Sequence, residues 1–209
     1  MKKAIALILA LCMVLSLAAC GGSSNNAPAA KLNRGTINGD TYTNQYFDLS
    51  FKLPSGWTFY GDEDTAAMSG LKPEDINADD LTTLVDEKKQ VMVCYAYSGT
   101  GTSVNILITG DMKAIVKYSD EEMFKTVMEN VKAQIAEQGM ELVHAEIQKA
   151  KIFGEEKAVL KMNINYMGLT INEYQFWVRP SSGYGACITL AGVGLSDPAD
   201  LYAAFGKAK

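Results

Sequence analysis

The sequence predicts an α+β fold, an antiparallel β-sheet covered by amphipathic helices. Three observations carry that expectation. Apolar and polar residues alternate from Phe47 to Leu53, and strand-like runs fill the C-terminal half; the dipeptide Met167-Gly168 separates two such runs; and one long helical stripe lies between Ser119 and Gly139. Strands adjacent in sequence pair antiparallel, and separate amphipathic helices must then cover the sheet they leave behind.

Phe47, Leu49, Phe51 and Leu53 alternate with Asp48, Ser50 and Lys52, the period of a strand with one buried and one wet face. Pro54-Ser55-Gly56 turns the chain, and Trp57 and Phe59 continue the apolar face in a short second strand. Asp62-Glu63-Asp64 opens a polar, helical region. A second helix is expected from about Asn77, acting as its cap, to Lys89, with Asp79 and Asp80 favoured by the positive end of its dipole. Val91 to Tyr97 and Val104 to Thr109, joined by Ser98 to Ser103, read as a hairpin. Ser119 followed by Glu122 forms a capping box, and Phe124, Val127, Met128, Val131 and Ile135 then share one helical stripe up to Gly139. From Glu141 to Ala191 the chain reads as strands, with a hairpin whose arms are about Lys157 to Tyr166 and Leu169 to Val178. Asp197 before Pro198 marks a last helix, which buries Leu201 and Phe205 at i and i+4.

The hairpin carries a conflict. A two-residue turn pairs Ile164 with Ile171 and Met162 with Glu173, which places a carboxylate among apolar neighbours. A bulge near Asn172 would remove the conflict and turn Tyr174, Phe176 and Val178 to the core, and is the favoured arrangement; without it, Glu173 becomes a candidate site residue. With the bulge, Asn163, Asn165, Thr170 and Asn172 share a polar patch at the hairpin's end, a surface for a sugar or a protein, or simply a solvated face.

The first residues read differently from the rest. Lys2 and Lys3 precede an apolar run from Ala4 to Ala18 broken only by Ser16, and a run of about 15 such residues is shorter than the roughly 20 that span a bilayer. The segment Leu17-Ala18-Ala19-Cys20 resembles the bacterial lipobox, and that resemblance implies a diacylglyceryl group on the Cys20 sulfur and cleavage in front of it. Gly21 to Ala30, GGSSNNAPAA, has no large apolar residue to bury and the composition of a flexible spacer; such a tether resembles those of surface lipoproteins of Gram-positive bacteria. The expected organisation is a signal peptide over 1–19, the lipidated cysteine and tether over 20–35, and one domain over 36–209. Without residues 1–19 the chain keeps 17 basic and 24 acidic residues, a net charge of -7, which anionic headgroups repel. The membrane is thus expected to hold the protein through lipid on Cys20 alone.

Composition excludes several classes. With 48% apolar and 21% charged residues the 209-residue chain is ordinary globular protein, and its acidic balance, -5 over the full sequence, lacks the basic footprint of a nucleic-acid binder. His144, the single histidine, removes most Ser-His-Asp, Cys-His and multi-histidine metal sites. Ser69-Gly70-Leu71-Lys72 has the SxxK spacing of penicillin-recognising enzymes without SDN or KTG elsewhere. Asp75, Asn77, Asp79 and Asp86 occupy positions 1, 3, 5 and 12 of a calcium-loop template, but Asp80 stands where the turn needs glycine. The glycine-rich loop Ser98 to Ser103 opens no helix and has no following lysine, so it offers phosphate no cradle. Cys94 and Cys187 lie in apolar strand runs, as buried thiols or a disulfide.

The phrase from Tyr46 to Trp57, YFDLSFKLPSGW, with the later hairpin and the run from Tyr184 to Leu190, resembles PsbP-like and DcrB-like α/β/α sandwich domains. Many members of that family are non-enzymatic lipoproteins or accessory subunits, and the resemblance brings no catalytic residue with it. The expectation is therefore a lipid-anchored, extracytoplasmic binding or accessory module without catalysis, cofactor or metal, its partner an envelope protein or a glycan. The alternative is a cell-envelope hydrolase using two carboxylates in one cleft. A two-lobed solute receptor is disfavoured, because residues 36–209 are few for two closing lobes.

Overall fold

A computed structural model describes residues 31–110, 117–180 and 183–208. Cys20 and the signal-like run lie outside the described residues. Two antiparallel sheets and a set of helices pack in layers. The smaller sheet has the order β1 (Thr36–Asn38), β2 (Thr41–Asn44), β3 (Leu49–Lys52), β11 (Phe205–Gly206). The larger has seven strands in the order β4 (Trp57–Phe59), β5 (Gln90–Ser98), β6 (Thr102–Thr109), β10 (Gly185–Val193), β9 (Leu169–Val178), β8 (Glu155–Tyr166), β7 (Glu141–Ile152). The helices are α1 (Asp62–Ala67), α2 (Pro73–Ile76), α3 (Thr82–Lys88), α4 (Asp120–Glu137) and α5 (Ala199–Ala203). The α+β class expected from sequence is the class observed.

The large sheet is buried on both faces. One face meets the small sheet: Leu49 and Phe51 of β3 and Phe205 of β11 pack with Ile106, Val159, Phe176 and Ile188, all buried. Phe205 stacks on Phe51 with centroids 4.7 Å apart and meets Phe176 edge-on at 5.2 Å. The other face carries α4, whose Phe124, Val127, Val131 and Ile135 lie on Leu160, Met162, Ile164 and Trp177. The capping box forms as expected: Glu122 N donates to Ser119 Oγ at 3.2 Å and Ser119 N to Glu122 Oε2 at 2.8 Å. Arg179, at the end of β9, pairs with Asp120 and donates to the Tyr118 carbonyl at 2.9 Å, fixing the start of the helix against the sheet. α1 closes the exposed edge of β5, where Tyr60 N donates to Tyr95 O at 2.8 Å and Met92 N to Ser69 Oγ at 2.8 Å.

Several expectations need correction. The helix expected from Asn77 to Lys89 begins only at Thr82, because Asn77 ends α2 and its side chain is engaged elsewhere; Asp80 instead accepts from Thr82 N at 2.9 Å at the start of α3. Phe205 does not extend the last helix: α5 stops at Ala203 and Phe205 pairs with Phe51 as a strand. Packing also begins before residue 36. Leu32 is 2% exposed and its carbonyl accepts from Leu81 N, while Arg34, 8% exposed, bonds Asn77 Oδ1 and pairs with Asp62 at 2.7 Å. Gly35 shows why the turn there is glycine, for it has φ +83° and a Cβ would lie 2.5 Å from the Thr43 carbonyl.

The bulge near Asn172 is absent. β8 and β9 run in unbroken register with Met162 opposite Glu173, Asn163 opposite Asn172 and Ile164 opposite Ile171, closed by Met167 and Gly168, both at positive φ, 50° and 79°. The premise behind the bulge was one buried face; with both faces covered, Tyr174 and Phe176 face the small sheet while Glu173, Gln175 and Trp177 face the other way, all buried. Bulges do occur elsewhere, at Val93 in β5 and Val143 in β7.

Candidate functional site

Two places in the fold depart from plain packing. The first is the end of the large sheet at the β8–β9 turn. Asn163 lies opposite Asn172 and Asn165 opposite Thr170, so the four predicted residues share one face, and Asn163 Nδ2 donates to Asn172 Oδ1. The two paired amides thus satisfy part of each other's hydrogen-bonding capacity, leaving Asn165 and Thr170 as the more open members. What the sequence did not announce is the apolar company. Met167 is 84% exposed, Val143 60%, Val193 48% and Leu169 47%, four of the five large apolar side chains exposed among the described residues. They share this end of the sheet but not one face: Leu169 alternates with Thr170 and Val193 of β10 pairs with Ile171, so both lie on the α4-facing side, opposite the asparagines, while Val143 is the β7 bulge beside Asn163.

The second place is inside. On the α4-facing side of the sheet one row runs Leu160, Gln175, Thr189, Asn105, Tyr95 across five strands, and the adjacent row runs Met162, Glu173, Ala191, Ser103, Tyr97. The middle of the first row is polar and the second carries Glu173 and Ser103 on either side of Ala191, although Glu173, Thr189 and Asn105 are 0% exposed and Gln175 is 3% exposed. This stripe separates two apolar clusters, one under α4 and one formed by Met92, Tyr95 and Leu107 with Tyr60 and Met68. Gln175 Nε2 donates to Glu173 Oε1 at 2.6 Å, while Glu173 Oε2, Thr189 Oγ1 and the neighbouring Trp177 Nε1 have no partner among the described residues. Burial pushes the Glu173 carboxyl up to about 8, against the opposing hydrogen bond from Gln175. At neutral pH it is largely a neutral acid, able to donate as well as accept.

The remaining sequence candidates have separate structural duties. Ser69 accepts from the β5 backbone. Asp75 accepts from Lys72 N at 2.9 Å, Asn77 donates to Asp62 at 2.8 Å, and Asp86 accepts from Tyr184 Oη at 3.0 Å, so these oxygens do not converge. The hydrogen bond from Asn77 holds the Asp62 carboxyl low, helped by Arg34. His144 is exposed, 3.6 Å from Glu146. Cys94 and Cys187 are buried and not joined in a disulfide, lying on opposite faces of the sheet, and burial pushes Cys94 far up, away from reactivity. Among the described residues, no group of three or more His, Cys, Asp or Glu could hold a metal ion, and no helix is long and apolar enough to cross a membrane. A shallow cleft of about 310 Å³ beside the β7–β8 turn is floored by Phe153, Tyr202 and Phe205 and edged by Lys151 and Lys207.

No family model and no curated protein matches the chain. Among solved structures it is similar to cyanobacterial PsbP (CyanoP) from Synechocystis sp. PCC 6803, determined in solution, with 13% identity, a TM-score of 0.45, and coverage of 91% of this chain and 98% of that one.

Proposed function

We propose that this chain is a lipid-anchored, extracytoplasmic accessory protein that binds an envelope protein without catalysis, in the manner of the PsbP-like sandwich its sequence resembles. The observation that carries the binding reading is the sheet end, where Val143, Met167, Leu169 and Val193 are exposed, Leu169 and Val193 on the side opposite the Asn163/Asn165/Thr170/Asn172 face. Exposed aliphatic side chains at a sheet end match the centre of a protein interface better than a sugar site, which favours aromatic platforms. Anchoring rests on Leu17-Ala18-Ala19-Cys20 and the spacer behind it. The hydrolase alternative gains little here, since the acid with a raised pKa, Glu173, bonds an amide rather than a second carboxylate.

The test uses the full chain in membranes of its producing cell. Growth with an alkyne-bearing palmitate should label the wild type and not Cys20→Ser. After crosslinking and solubilisation, one stoichiometric membrane or wall protein should be retained by the wild type and lost with Met167→Asp/Leu169→Asp, a pair of substitutions at exposed positions that leaves the melting temperature unchanged. Equal retention by that variant, or retention of glycan alone, would overturn the reading.

A further inference from the structure

We infer that the polar stripe on the α4-facing side of the large sheet is the floor of a small-molecule site, which takes a neutral, hydrogen-bonding molecule with an apolar aromatic body. A buried polar group left without a partner is unfavourable by about 1–3 kcal/mol, and such groups are rare in native folds. Here Glu173 Oε2, Thr189 Oγ1 and Trp177 Nε1 have no partner among the described residues, and all three belong to adjacent rows on one face of the neighbouring strands β9 and β10. Scattered orphans would be accidents of packing, whereas three in adjacent rows mark a position reserved for something that bonds them.

Their chemistry selects the occupant. The site offers an indole N–H that only donates, hydroxyls that do either, and a carboxyl whose buried setting disfavours charge. No lysine or arginine belongs to the two rows, so an anion would have no counter-charge in them. Tyr95 and Trp177 flank the polar centre, with Leu107 and Met92 beyond, so the apolar body of a ligand would meet aromatic rings and aliphatic carbon while its polar group meets Glu173 and Thr189. An apolar residue in place of Thr189 or of the Glu173/Gln175 pair would have packed this layer without these orphan atoms.

The probe is 2-naphthol, neutral at pH 6, with one O–H donor and a flat apolar ring system. The full-length protein is held in lipid nanodiscs with Trp57→Phe, leaving Trp177 as its single tryptophan, and energy transfer from Trp177 to the probe is titrated against empty nanodiscs. Saturable binding is expected, weakened fivefold or more by Thr189→Val and by Glu173→Gln, and unchanged by Asn165→Val at the sheet end. A titration that matches empty nanodiscs, or equal affinity in all three variants with unchanged melting temperatures, would overturn the site. So would a crystal structure of the probe-soaked protein showing ordered water alone along the stripe.

Discussion

The two faces of the seven-stranded sheet are built to different rules. Towards the small sheet, Phe51, Phe153, Phe176 and Phe205 form a lattice of edge and stacked contacts with Tyr202, and the central residues between them are apolar. Towards α4, apolar clusters sit at the sides while Glu173, Gln175, Thr189 and Asn105 occupy the middle. The difference teaches which face carries stability and which is free to carry something else. A fold held with about 5–15 kcal/mol in total can tolerate such a stripe only where the opposite face is closed and well packed.

That contrast can be broken. Phe176→Ala, at the centre of the aromatic lattice, is expected to lower unfolding free energy by about 3–5 kcal/mol in a guanidinium titration, because it leaves a cavity among rings that cannot collapse. A loss under about 1 kcal/mol would remove the distinction between the faces.

The next largest effect is one of pH. The Glu173 carboxyl is raised in the fold to about 8 from an ordinary 4.5, so the folded state holds a proton that the unfolded chain releases between those values. Stability should therefore be full below about pH 4.5, fall as pH rises towards 8, and level off above it, with a contribution of a few kcal/mol. Glu173→Gln should flatten that part of the stability profile, measured by denaturant unfolding at pH 5 and pH 8.5. Identical slopes for the two proteins would show that the carboxyl is solvated. Thr189→Val sharpens the same point on a smaller scale: removing a hydroxyl without a partner should leave the ligand-free protein as stable or raise it by about 1 kcal/mol, where Thr→Val at a bonded site destabilises. Smallest and on the α4 side is the cap. Ser119→Ala should lose about 1 kcal/mol in the same titration, from the bond it accepts from Glu122 N.

Much of the architecture was legible because its signals are local. The capping box at Ser119, the alternation through Leu49 and Phe51, and the Met167-Gly168 turn each announce an element within a few residues. The error over Asn172 came from something no local window contains. In LTINEYQFWV, Tyr174 and Phe176 argue for one inward face and Trp177 for the other, and period-two reasoning resolves the tension with a bulge, when the true answer is a strand covered on both sides. The same blindness hid the polar stripe, whose members on different strands, β6, β9 and β10, lie 14 to 84 residues apart in sequence and are adjacent only through register. Asn77 failed as a helix cap for a related reason, its partner Arg34 lying 43 residues earlier. The Asn163/Asn172 patch was found because its two strands share one tight turn, but its exposed aliphatic neighbours on β7 and β10 were not.

The outermost strand of the large sheet has one further consequence. β7 is twelve residues long and, among the described residues, pairs with β8 alone, so the outward N–H and C=O groups of every second residue invite neighbouring copies to add themselves and polymerise. The kink at Val143 and the charges of Glu146, Lys149 and Lys151 spoil a flat, apolar docking line. What looks like irregularity in the strand is a guard against fibre growth, and smoothing it by deleting Val143 and replacing the lysines with threonine is expected to favour self-templated strand addition.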